Sequence, residues 1–482
     1  MAVVLKNKCI IKNMAHSEQL TIEQALSRAK KATKQGKTAV ALKLYTAILK
    51  HQPDHPIAKK ALSELQKSLP QNQYAETETS QPSPVQINAL VNLYQTGQMA
   101  KVELACGKLL KSHPQSLAAI NILGAALRGQ GKLQEAVASF DKAIQLRPDF
   151  ADAYYNRGIT LKELGRLNEA LQNYDKAIQL KPDFAKAYNN RGAALQDLGR
   201  LDESIQNYDK AIQLKPDYAE VHFNRHALLL NPDDLMPAIQ CMEKAIDIDP
   251  LNMHYRFVLG MLWDYSGDTQ KATPHFNMVE SGESLYRANL DAWRYIKSAN
   301  NKVPTIIGSN IQSFKLGIEA GVVDGLVLEF GVRFGTSIRQ ISTLVDQTVH
   351  GFDSFQGLPE SWHNEAKGSY STKGVIPSVP QNVTLHGGWF EETLPPFVKQ
   401  HPEPIRFMNI DCDIYSSTKT VLEIFAKQII PGTVIVFDEY IGNEHWREDE
   451  FKAFQEAVLK YGWKYEYLCF SFMTGQVVVR MN

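Results

Sequence analysis

The chain has 482 residues, 44% hydrophobic and 22% charged. That is an ordinary globular composition, and at about 100–200 residues per domain it leaves room for two to four domains. The 52 basic and 52 acidic residues cancel, which argues against a dedicated nucleic-acid binder, but the balance is uneven. It is +9 over residues 1–70, −3 over 71–300 and −6 over 301–482. Five cysteines (Cys9, Cys106, Cys241, Cys412 and Cys469) are far apart and contain no C-x-x-C. A disulfide framework or zinc ribbon is therefore not expected, and a reducing, cytoplasmic setting is. No run approaches the ~18 apolar residues of a membrane span. Residues 1–11 lack a long apolar stretch, so no signal peptide is expected. Met14 offers a second possible translation start.

Residues 1–70 read as a basic helical unit. Lys30, Lys31, Lys34 and Lys37 alternate with alanines. They suit either a solvated helix face or a contact with an anionic surface or nucleic acid, although no aromatics are interleaved for base stacking. Residues 71–84 are rich in Gln, Ser, Thr, Glu and Pro and read as a flexible linker.

Prolines then fall every 34 residues, at Pro114, Pro148, Pro182, Pro216 and Pro250. Ala143, Ala177, Ala211 and Ala245 sit five residues before four of them. Phe140, Tyr174, Tyr208 and Met242 sit eight before, and glycines recur at Gly124, Gly158, Gly192 and Gly260. This register resembles the tetratricopeptide repeat, with an array spanning 85–286 and degenerate end units. A further degenerate copy is expected at 22–55, with Ala41, Tyr45, Ile48 and Pro53 in register. Each repeat is then two antiparallel helices. Glycine allows close approach, the ring fills the gap, and proline stops the second helix. Asn156, Asn190 and Asn224 occupy one position of three successive repeats. They resemble the asparagine ladder of the array in O-GlcNAc transferases, which implies a groove for a peptide or protein partner. An asparagine carries both a donor and an acceptor for a peptide unit; equally, the three can simply solvate the helix face.

From Leu316 the pattern alternates strands and helices, the signal for a parallel α/β sheet. Strands are predicted at 325–329, 349–352, 383–386, 406–410 and 433–437, with a terminal hairpin at 464–470 and 476–480. Glu329, Asp353, Asp411 and Asp438 then stand at strand carboxyl ends, where such sheets bind ligands. The glycine loop Gly331–Gly335 lets backbone approach a ligand. It lacks the third glycine of the dinucleotide fingerprint, which argues against a nicotinamide enzyme.

Glu-x-Gly-x-x-x-Gly-x-Ser at 329–337 resembles the first motif of class I S-adenosylmethionine-dependent methyltransferases, catechol O-methyltransferases in particular. Asn409-Ile-Asp411-Cys-Asp413-Ile-Tyr415-Ser-Ser-Thr418, Val434–Tyr440 and Gly387–Pro395 resemble the macrocin O-methyltransferase family. The resemblance covers roughly residues 285–482, with the catalytic domain bounded at 287–482 and the helical stretch 280–297 joining it to the array. It implies a Rossmann-like α/β domain with a seven-stranded, mostly parallel sheet following the helical superhelix.

By that resemblance Glu329, Gly331, Gly335 and Ser337 face the methionine end of S-adenosylmethionine. Asp353 accepts the ribose hydroxyls or serves only as a turn residue. Asp411, Asp438 and Glu439 hold magnesium, which prefers carboxylate and water oxygens. The activity implied is transfer of a methyl group to a hydroxyl of a sugar, glycan or natural product, with the array recruiting a partner or the acceptor. Catechol enzymes carry a lysine where this chain has Ile414, so the base is sought elsewhere. Asp413 is the first candidate, and His445 and Tyr415 are the others; Asp411, Asp413 and His445 form the expected catalytic set. The long connection 356–381, with Trp362, His363 and Tyr370, reads as a lid or a substrate contact. The competing reading is a non-catalytic scaffold with a degenerate methyltransferase domain.

Overall fold

The computed structural model describes residues 10–12, 19–35, 37–52, 54–68, 81–299 and 302–482. They form two compact units, Met1–Leu123 and Gly124–Asn482.

In the first unit, strands β1 (Ile10–Lys12) and β2 (Gln19–Thr21) pair antiparallel. Helices Ile22–Lys34 and Thr38–His51 follow, and Ala25, Ala29 and Ala32 bury against Ala41, Tyr45 and Ile48. Residues 22–51 therefore form a packed helix pair, and Pro53 lies outside the described residues. Lys30, Lys31, Lys34 and Lys37 are exposed, as a solvated face requires. Most of the expected 71–84 linker also lies outside the described residues. Pro84 opens the helix Pro84–Gln95, where Ser83 and Gln86 cap each other reciprocally.

The second unit begins with helix pairs that repeat every 34 residues. The second helices end at Leu146, Leu180, Leu214 and Ile248, each two residues before a repeat proline. The glycines do what the spacing predicts: a Cβ on Gly158 or Gly192 would stand 2.7 Å from the ring of Tyr174 or Tyr208. Helix Ser284–Ala299 completes the helical part.

The α/β part has strands β3 (Thr305–Ile306), β4 (Leu326–Phe330), β5 (Val349–Asp353), β6 (Val383–Gly387), β7 (Ile405–Ile410), β8 (Val434–Phe437), β9 (Tyr465–Phe470) and β10 (Val477–Met481). They form one eight-stranded sheet in the order β3-β9-β10-β8-β7-β4-β5-β6. β10 is antiparallel to both neighbours and the other pairings are parallel. The expected count of seven is corrected to eight. β3 adds two residues to the edge of β9, too short a segment for hydrophobic alternation to reveal. The seven predicted strands are all present, with ends shifted by a residue or so.

Period-two alternation sends Val327, Phe407, Val434 and Val436 to one face, under Phe314, Ile318, Ile338 and Ile341. Leu328, Phe330, Met408, Ile410, Ile435 and Phe437 face the other way, under Leu394, Phe397, Val421, Leu422 and Phe454. Both faces are covered, as a parallel sheet demands.

The helical and α/β parts of this unit share a core. One apolar cluster runs from Leu230 through Phe257 and Trp293 into Phe470 and Val479. Trp293 lies 5.5 Å from Phe470, ring to ring, and Phe257 meets Phe472 edge-on at 4.9 Å. The turns inside successive repeats also touch the α/β part. Gly165 abuts Phe334, Gln340 Nε2 donates to the Asp197 carbonyl, Gly199 lies against Ile311, and Gly308 lies against the Ala227 carbonyl.

Candidate active site

The chain runs from β4 outward to β6, then returns to β7 on the other side of β4. The carboxyl ends of β4 and β7 are thus the switch point where open α/β sheets bind ligands. Backbone bonds continue past the strand ends: Gly331 N–H to Phe352 O, Asp411 N–H to Phe330 O, and Asp438 N–H to Ile410 O. This brings the three strand exits level at one edge.

A cavity of about 560 Å³ opens there, within the range of small-molecule and cofactor sites. Of the residues singled out in the sequence, Gly331, Ser337, Asp353, Asp411, Asp413, Asp438 and Glu439 line it. Gly331 has φ +94°, and a Cβ there would stand 1.6 Å from the Asp411 carbonyl oxygen. Only glycine lets the β4 loop cross β7 this closely. Gly335, with φ +77°, opens the helix Thr336–Ser342 but does not line the cavity.

Glu329 is fully buried. One carboxylate oxygen accepts from Asn409 Nδ2 at 3.0 Å and the other has no partner. Burial pushes its pKa up to about 8, with Ser337 and Asn409 opposing the rise. Glu329 is not itself among the residues that line the cavity, whereas Ser337 is; the unpartnered buried oxygen of Glu329 would suit a cationic group such as an ammonium. Asp353 accepts from the backbone N–H of Arg333 at 2.7 Å and of Phe355 at 2.5 Å, while its side chain still lines the cavity. It is a turn residue and a cavity wall at once.

Burial also raises the metal candidates. Asp438 rises to about 7, although Gln476 donates to it at 2.6 Å, and Glu439 rises to about 8. Asp411 is raised well above the carboxylate range by burial and then by Asp438 and Asp413. All-carboxylate donors suit a hard divalent cation. Among the described residues, no three His, Cys, Asp or Glu side chains already stand as a ligand cluster.

The candidate bases separate. Asp413 lines the cavity with φ +62°, its pKa raised by burial to about 6 despite the Arg333 guanidinium nearby. Tyr415 does not line the cavity. Its hydroxyl donates to Glu456 at 2.6 Å and accepts from Lys419 at 3.0 Å. His445 does not line it either, but stacks on His363 at 4.1 Å. His363 Nε2 and Trp362 Nε1 both meet Asp449 Oδ2, at 2.9 and 3.0 Å. The 356–381 connection is thereby held to the segment after β8.

Several residues were not singled out in the sequence. Arg333 lies over the Phe334 and Tyr370 rings, 5.0 Å from each. Glu450 is fully buried, with one oxygen accepting from the Glu439 N–H at 3.2 Å and the other unpartnered. Trp389 lines the cavity, as do Lys162 and Glu163 from the repeats. Among the described residues, the non-glycine residues with positive φ are Arg333, Phe355, His363, Tyr370, Lys373 and Asp413. Arg333, Tyr370 and Asp413 line the cavity, His363 and Lys373 belong to the 356–381 connection, and Phe355 immediately precedes it. Backbone strain is concentrated at this site, as it is at functional sites generally.

Away from the cavity, Asn156, Asn190 and Asn224 are half-buried on the repeat helices. Asn190 Nδ2 donates to Tyr155 Oη and Asn224 Nδ2 to Asn189 Oδ1, each at 3.0 Å. Asn189 Nδ2 in turn reaches Glu220 Oε1 at 3.2 Å.

A family model for the tetratricopeptide repeat matches residues 124–165, 160–199 and 194–231, and one for a methyltransferase domain matches 328–440. No curated protein matches the chain. Among solved structures, MamA from Desulfovibrio magneticus RS-1 is 23% identical with a TM-score of 0.31, over 34% of this chain and 94% of its own. PilF of Pseudomonas aeruginosa is 20% identical with a TM-score of 0.40, over 45% and 96%. A tetratricopeptide repeat protein from Parabacteroides merdae is 21% identical with a TM-score of 0.35, over 44% and 86%. The chain carries tetratricopeptide repeats within residues 124–231, followed by a methyltransferase domain that matches over 328–440.

Proposed function

We propose that the protein is a magnesium-dependent, S-adenosylmethionine-dependent O-methyltransferase. Its acceptor is a hydroxyl of a sugar, glycan or natural product, and the protein acts in the cytoplasm. The observation that carries this reading is the convergence of Asp353, Asp411, Asp413, Asp438 and Glu439 on one cavity at the switch point. So many half-buried carboxylates on one cavity are costly unless cations or ligand donors meet them.

Glu329 and Ser337 hold the methionine end of the donor, and Asp353 takes a ribose hydroxyl on lone pairs its turn bonds leave free. Asp411, Asp438 and Glu439 hold the cation. Bound there, S-adenosylmethionine supplies an electrophilic methyl group and the cation lowers the pKa of an acceptor hydroxyl. Asp413, facing the cavity, receives the hydroxyl proton. Trp362, Tyr370 and Trp389 cover the acceptor and exclude water. Asn156, Asn190 and Asn224 mark the array face that recruits a protein or peptide partner. No helix among the described residues is long and apolar enough to cross a membrane. Four described cysteines are free thiols, in keeping with a reducing setting.

The test is transfer of labelled methyl from S-adenosylmethionine into fractionated cell extract, with and without a chelator. Asp411→Asn is expected to abolish magnesium-stimulated transfer and leave S-adenosylhomocysteine affinity within about threefold. Equal transfer in chelator would remove the metal from the scheme, and no S-adenosylhomocysteine binding by the wild type would remove the enzyme.

A further inference from the structure

The cavity is not built by the methyltransferase domain alone. Lys162 and Glu163, the last two residues of a repeat helix, line it together with Gly165. Helix Ala151–Glu163 ends there, and the chain turns at Gly165 with φ +67°. A Cβ on Gly165 would stand 2.6 Å from Phe334 Cβ, so the repeat turn is pressed against the Gly331–Gly335 loop. Each of the two charged side chains is held by a neighbouring repeat. Lys162 Nζ lies 2.7 Å from Asp197 Oδ2, and Glu163 lies 3.8 Å from Arg128. Both side chains are partly exposed, 31% and 43%.

The charge inventory says what a cation is for here. The cavity walls are dominated by carboxylates, and the cations among its lining residues are Lys162 and Arg333. Arg333 is committed to the Phe334 and Tyr370 rings and to Asp413. An anionic group entering so acidic a cavity needs a cation to meet it, and the Lys162 ammonium, although ion-paired with Asp197, has three N–H donors and can meet a second carboxylate. Lys162 is beside the loop that the methyltransferase reading gives to the methionine end.

We propose that Lys162, a residue of the repeat array, binds the α-carboxylate of S-adenosylmethionine, so that the array is part of the cofactor site. This inference rests on the methyltransferase reading. Asp197 holds the ammonium in place, and Glu163 flanks it within the same wall.

The test is calorimetric titration of the full chain with S-adenosylhomocysteine and with 5′-methylthioadenosine, which lacks the amino-acid end. Lys162→Met is expected to weaken S-adenosylhomocysteine at least about tenfold, the scale of a hydrogen bond to a charged group. It should leave 5′-methylthioadenosine unchanged. Lys162→Arg should restore binding to within about threefold, because the charge is kept. Asp197→Asn, which breaks the ion pair but keeps the cation, separates contact from architecture and should cost far less than Lys162→Met. Equal weakening of both ligands, or unchanged S-adenosylhomocysteine affinity in Lys162→Met, would overturn the proposal alone. No binding of either ligand by the wild type would overturn the methyltransferase reading, and this one with it.

Discussion

Gly331 carries the tightest constraint at the site. Its positive φ and the Asp411 carbonyl 1.6 Å from a would-be Cβ leave no room for any side chain. Gly331→Ala must move either the β4 loop or the exit of β7. The expected cost is about 3 kcal/mol or more, read from the urea midpoint, with S-adenosylhomocysteine binding lost. A wild-type midpoint and affinity would mean that the loop relaxes freely. This glycine was legible in the sequence because a motif surrounds it. Glu450 was not: it sits in the acidic run Glu448-Asp449-Glu450, at no strand end, and nothing in its neighbours distinguishes a buried carboxylate from a solvated one. Arg333 was missed for a related reason. Its importance lies in the rings of Phe334 and Tyr370 and in Asp413, two of which come from distant stretches of chain.

Among elements, the connection 356–381 is the least regular and the most instructive. The sequence marks it as a lid or a substrate contact by length alone. The structure adds what holds it: Trp362 and His363 on Asp449, His363 stacked on His445, and Ser416 donating to Glu360 at 2.6 Å. His445, a candidate base by sequence, lies outside the cavity and packs on the lid, since a loop histidine's neighbours cannot be read from its own segment. Asp449→Ala removes two hydrogen bonds worth about 1 kcal/mol each. Proteolytic cleavage within 356–381 is therefore expected to speed up about tenfold or more. Unchanged cleavage would show that the other lid contacts suffice. The strands were better read, because alternation between two buried faces is a local signal. The two-residue β3 is the exception, since its only signature is pairing with β9.

For the molecule as a whole, the buried carboxylates couple stability to pH. Asp413, Asp438 and Glu439 have folded-state pKa values of about 6, 7 and 8, above unfolded values near 4. The folded chain therefore holds protons that the unfolded chain has released. The stability this brings is complete below about pH 4 and is lost as pH rises through about 6 to 8. Without divalent cations, these groups should make the Tm lower at pH 8.5 than at pH 5.5. Magnesium is expected to raise the Tm more at pH 8.5, where the carboxylates are free to bind it. Asp438→Asn should flatten both effects, and a magnesium shift independent of pH would contradict the ligand assignment. The sequence separates a repeat region from an α/β region, because each has its own periodicity. That Trp293 and Phe470 share one core is a tertiary fact that neither period encodes.

The contacts of the repeat turns with Phe334, Ile311 and Gly308 bear on how such a chain can change by duplication. Solenoids usually lengthen or shorten by whole copies with little harm. Here a copy inserted between residues 151 and 230 would carry each turn one step past its seat and strip Lys162 from the cavity. Behind Gly124 the array is locked in register.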